Sequence, residues 1–91
     1  MQITEIRIRA VNAGRVRARV SITINNSFVI SGLQVVRRRN RYFVEYPKRK
    51  QPDGSYLSIV APKDARVRKT LKERVLAEYQ RVTGEPLNKR S

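Results

Sequence analysis

At 91 residues the chain is long enough for one small domain, and 21 Lys and Arg against 7 Asp and Glu give it a formal net charge of +14. A compact chain so charged repels itself, and a polyanionic partner is the simplest relief. The absence of Cys and His excludes disulfides, thiolate and imidazole metal sites, a Cys nucleophile and the usual general base. The seven acids are scattered, with no close pair suited to glycosidase or two-metal chemistry, so neither an enzyme nor a cofactor is expected.

The first elements are strands. Ile6, Ile8 and Ala10 alternate with Arg7 and Arg9, and Asn12 and Gly14 supply a tight reversal. In "GRVRARVSITIN", Val16, Ala18, Val20, Ile22 and Ile24 share one face against Arg15, Arg17, Arg19, Ser21, Thr23 and Asn25 on the other. That period of two marks a half-buried strand hairpinned to the first. "SFVISGLQVV" reads as a third strand kinked at Ser31-Gly32, so that Phe28 and Ile30 share a core with Leu33 and Val35.

"RRRNR" makes a cationic turn into a fourth strand, "YFVEY", closed by Pro47. The loop "PKRKQPDG" is a hairpin connection in which Pro52, Asp53 and Gly54 fill the second to fourth positions of a type I turn. "SYLSIV" follows as a fifth strand. Asp64 is the expected N-cap of a helix whose apolar stripe is Val67, Leu71, Val75, Tyr79 and Val82, with Leu76 at its margin, and Gly84 with Pro86 ends it. The reading is therefore α+β, an antiparallel sheet of about five strands with a C-terminal helix packed on it. The domain spans 1–83, and 84–91 forms a loose tail.

Arginine outnumbers lysine 15 to 6, and a guanidinium fork grips phosphate or guanine edges in two-point fashion where an ammonium acts as a point charge. Paired strands one and two would put Arg7, Arg9, Arg15, Arg17 and Arg19 on one sheet face, either a solvated outer surface or a binding one. Lys48, Arg49 and Lys50 sit on a pinned hairpin, where they either meet phosphate or merely keep a strand edge from aggregating. Among the aromatics, which could stack on bases, Tyr46 and Tyr56 flank that loop.

Three segments in order, "MQITEIRIRAVNAGRVRARVSITINNSFVI", "YFVEYPKRKQPDGSYLSIVAP" and "RVLAEYQRV", resemble the stage V sporulation protein G family, also called the septation protein family. The loop carries the most specific match: Pro47, Arg49, Lys50, Pro52, Asp53 and Gly54, followed by Ile59 and Pro62. The resemblance implies a homodimer that binds DNA, and also RNA, to regulate gene expression in septation and sporulation programmes. It assigns binding to Arg49 and Lys50 in the loop, with Lys48 beside them, and to Arg66, Arg68 and Lys69 on the helix; Arg17 and Arg19 join them from the sheet face. Two places depart from the family's pattern, the Arg37–Arg41 turn and Arg19, and both add phosphate-directed charge that positions a protein without reading bases.

A domain this small buries only about 60–65 % of its unfolded surface, so dimerisation adds to a thin margin. "MQITEIRIRA" alternates with charge where a signal peptide needs an apolar run, and no stretch of 18 apolar residues exists. A cytoplasmic protein, free to join the nucleoid, is expected, with nucleic acid as partner and neither a membrane nor a small-molecule substrate. The competing reading is an interaction module docking an acidic protein of the division machinery.

Overall fold

The computed structural model describes residues 2–85. Strands β1 (Ile3–Ala13), β2 (Val16–Ile24), β3 (Phe28–Arg38) and β4 (Arg41–Glu45) form one antiparallel sheet in chain order. A separate two-stranded sheet follows, β5 (Lys48–Lys50) with β6 (Tyr56–Ser58), and then helix α1 (Ala65–Thr83). The α+β class holds. The fifth expected strand does not join the main sheet: it pairs with the basic loop's own residues, because Pro47 lacks the N–H that would continue the β4 ladder. The pair projects as a short arm, closed at its base by the Ile59 N–H bonding the Pro47 carbonyl at 2.9 Å.

One sheet face and one helix stripe make the core. Ala18, Val20, Ile22, Leu33 and Val35 meet Leu71, Val75, Leu76 and Tyr79, with Tyr42 closing the β4 side. The helix begins where Asp64 Oδ1 accepts from the Arg66 N–H at 2.7 Å and ends at Gly84, whose φ of 72° needs no Cβ. The buried arc swings toward β4, where the Tyr79 ring packs tilted at 46° against Tyr42, with centroids 5.6 Å apart. Leu76 is thus inside, and Val82, expected in the stripe, is 46 % exposed. Phe28 likewise lies outside the core at 69 % exposure, because it follows directly on the Asn25–Ser27 turn at the sheet's end, while Ile30 packs against the core as expected.

The kink at Ser31-Gly32 is a bulge. Val20 faces Leu33 and Ile22 faces Ile30, so two residues of β3 stand opposite Ser21 alone. Gly32 takes φ 87°, and a Cβ there would lie 3.2 Å from the Pro47 Cβ. The sheet and the root of the arm touch at this glycine. Residues 86–91, most of the expected tail, lie outside the described residues.

Candidate nucleic-acid interface

The arm leaves Lys48, Arg49 and Lys50 exposed. Its turn is the expected one: the Gly54 N–H bonds the Gln51 carbonyl at 2.9 Å, with Gly54 at φ 90°. Asp53 Oδ1 accepts from the Ser55 N–H at 2.9 Å and its hydroxyl at 2.6 Å, and these bonds hold the Asp53 carboxyl below its ordinary range. The acid that follows the three cations is thus engaged within the turn and leaves them unneutralised. Strand alternation sends Lys48 and Lys50 to one side of the arm and Arg49 to the other. Lys48 Nζ lies 5.7 Å from the centroid of Tyr56, which is 63 % exposed.

Helix α1 starts at the same end of the sheet. The Arg68 guanidinium carbon is 5.8 Å from the ring centroid of Tyr46, two residues before β5, and its Nη2 donates to the Pro62 carbonyl at 2.8 Å. Arg68 is therefore anchored and offers only part of its fork. Arg66 and Lys69 are exposed; Arg66 reaches only the capping Asp64, at 3.9 Å, and the first helical turn holds no acid. The positive end of the helix dipole adds to their field. Tyr46 has its hydroxyl buried without a partner, and burial raises that phenol against the opposing pull of Arg68.

The sheet's outer face, opposite the helix, holds Arg7, Arg9 and Arg19. Arg7 pairs with Glu5 at 3.0 Å, but Arg9 and Arg19 stand directly opposite each other across β1 and β2, and like charges so placed repel. Arg17 does not belong with them. It is the extra residue in β2 between Val16, which faces Val36, and Ala18, which faces Val35. The bulge turns its half-buried side chain to the end of α1, where Nη2 lies 3.8 Å from Glu85 and Nε is buried unpartnered. The root of the arm thus lies beside the helix start, through Tyr46 and Arg68, Arg19 lies on the open face, and Arg17 stands apart in an internal cluster.

In that cluster the Tyr79 hydroxyl donates to Glu85. Burial first, then this bond, pushes the Tyr79 phenol from 10.0 up to about 12, while the same bond and the Arg17 charge hold the Glu85 carboxyl below its usual range. A raised phenol pKa stabilises the fold fully below pH 10, and that stability is lost as the pH rises through about 12. Absorbance titration is expected to show the Tyr79 phenolate forming near pH 12, with thermal stability falling over pH 10 to 12. In Tyr79→Phe the fall is expected to be smaller; Tyr42, also raised chiefly by burial, retains a share.

Sequence reasoning did not single out a further cluster around Phe43, where Arg38 and Lys72 approach the ring centroid at 5.5 and 5.6 Å. Lys72 lies four residues after Arg68, on the same side of the helix, and that spacing was its only local signal. Among the described residues, no group of His, Cys, Asp or Glu could hold a metal ion, and no helix is long and apolar enough to cross a membrane.

Comparison with known proteins brings the whole chain into view. Residues 1–81 match the SpoVG family model. The chain is 38% identical over 86 residues to the "Putative septation protein SpoVG" of Clostridium acetobutylicum, covering 93% of this chain and 90% of that one. It is 39% identical over 83 residues to the protein of that name from Clostridium perfringens (90% and 92% covered), and 38% over 89 residues to that of Oceanobacillus iheyensis (97% and 93% covered).

Proposed function

This chain belongs to the SpoVG family, and from that premise we propose that it is a nucleic-acid-binding regulatory protein acting in septation or sporulation, the first of which its relatives' names carry. One observation supports this reading above the others. The arm that carries Lys48, Arg49 and Lys50 is rooted at Tyr46 beside the start of the helix that carries Arg66 and Lys69, while the acids Asp53 and Asp64 are engaged by Ser55 and by the helix start. Positive charge left open on a rigid hairpin and a helix terminus suits a phosphate backbone. Its role is binding; the seven acids supply no catalytic constellation.

We take the working form to be a homodimer, which doubles the patch and gains by avidity on an extended polyanion. Two copies contacting about six phosphates should give a log-affinity against log-salt slope near −5. Gel shifts with DNA and with RNA across salt concentrations test this, and binding that ignores salt, or no binding to either polymer at low salt, overturns it. One feature favours docking an acidic protein instead: beside the cations, Tyr56, Leu57 and Ile59 are 63, 48 and 60 % exposed, and apolar anchors carry protein contacts. Capture of an acidic partner that survives nuclease treatment, with no nucleic-acid binding, would favour that reading.

A further inference from the structure

The helix covers one face of the four-stranded sheet, and no described element covers the other. Strand register gives the composition of this open face. Arg9 lies opposite Arg19, Arg19 opposite Gln34, and Gln34 opposite Glu45; beside that row, Val36 lies opposite Phe43 and Arg38 opposite Arg41. Two like-charge pairs thus face each other across adjacent strands, an arrangement that costs stability unless an anion sits between them. Only one of the four arginines is neutralised: Arg38 bonds Glu45 at 2.9 Å and lies over the Phe43 ring. Arg9, Arg19 and Arg41 are exposed, and among the described residues none has a carboxylate within 4 Å.

Phe43 is the aromatic on this face. It is half-buried beside Val36, which is 4 % exposed, so the ring is held on a packed base. Lys72 reaches it around the free edge of β4. A ring fixed on an open sheet, with the exposed side chains of Arg38 and Lys72 over it for a base to displace, and with unneutralised Arg19 two strands away, Arg9 three strands away and Arg41 at the adjoining turn, matches the requirements of an unpaired nucleotide: a π-face for the base and cations for the phosphates beside it. A duplex keeps its base faces stacked internally and can use only the cations.

We propose that the open face of the sheet is a platform for single-stranded nucleic acid, with Phe43 as the stacking ring and Arg9, Arg19 and Arg41 as the groups that hold the adjoining phosphates. The platform rests on the nucleic-acid reading but is separate from the arm and the helix start. It gives the protein a preference among nucleic acids that phosphate attraction alone does not provide.

Fluorescence anisotropy of the full chain with a labelled single-stranded oligonucleotide, and with the same strand in duplex form, tests the proposal. Phe43→Leu keeps the apolar contact with Val36 and removes the ring; Arg9→Gln/Arg19→Gln removes two cations and leaves the strand pairing intact. Phe43→Leu is expected to weaken single-strand binding by about 5-fold or more, with duplex binding and the single-strand salt slope unchanged. The double variant is expected to flatten the single-strand salt slope by about 1.4 and the duplex slope by less. Thermal melts confirm that each variant is folded, and Phe43→Met repeats the ring's removal should Leu fail. Folded Phe43 variants that bind the single strand as wild type does overturn the platform, as does a double variant that weakens both ligands equally, yet either result leaves the arm's role standing. A wild-type chain that binds neither ligand overturns the nucleic-acid reading itself.

Discussion

Reversing charge on the arm, as Arg49→Glu/Lys50→Glu, should lower nucleic-acid affinity by roughly 60-fold at about 0.1 M salt and leave the fold intact. Each phosphate contact releases close to one counterion, so losing two contacts removes nearly two powers of the salt concentration from the binding constant. The difference should shrink toward 1 M salt, where that release contributes little. Neither side chain forms an ion pair among the described residues, and β5 pairs with β6 through its backbone, so circular dichroism and the melting temperature should stay at wild-type values. Because Arg49 points to the opposite side of the arm from Lys50, the two single variants should also differ if the ligand meets one side only. An unchanged affinity in the double variant would remove the arm from the interface.

Leu71→Ala should have the largest effect on stability, and for a different reason. Leu71 is 4 % exposed, within the cluster that joins the helix to Ile22 and Leu33. Emptying such a site costs about 2–5 kcal/mol, the lost transfer energy plus that of the cavity. For a domain of this size each kcal/mol moves the melting temperature by about 4–8 °C, so a drop of roughly 8–40 °C is expected in calorimetry. A drop of only a degree or two would mean that the helix does not seal this core. Nucleic-acid affinity measured well below the melting point should remain at the wild-type level, since Leu71 touches none of the exposed cations' roles.

What could be read from sequence was whatever depends on neighbours in the chain. The alternation of Ala18 to Ile24 placed β2 and its buried face, although the bulge at Arg17 sets Val16 opposite Val36 on the other face; Asp64 and Gly84 bounded the helix, and the Pro52-Asp53-Gly54 turn formed as its residue chemistry demands. Partner choice was not legible, because a strand's period of two says which face is apolar and nothing of what lies alongside. Hence the sixth strand's pairing with the loop has no local signature in the chain. Arg17 failed for the same reason. Its alternation with Val16 and Ala18 is regular in sequence, and only the mismatch in register between β2 and β3 turns it toward Glu85. The loop and helix candidates converge because Tyr46 and Pro47 lead from β4 past the helix start, whereas the Phe43 cluster joins residues 38, 43 and 72, a meeting that no local pattern announces.

The contact between Gly32 and Pro47 sets the bearing at which the arm leaves the sheet. A side chain at position 32 would be strained at φ 87° and would press on Pro47, displacing the root of the hairpin that carries three charges while altering none of them. On the proposed reading, the setting of these charges against a polyanion depends on a point in the sheet that carries no charge of its own.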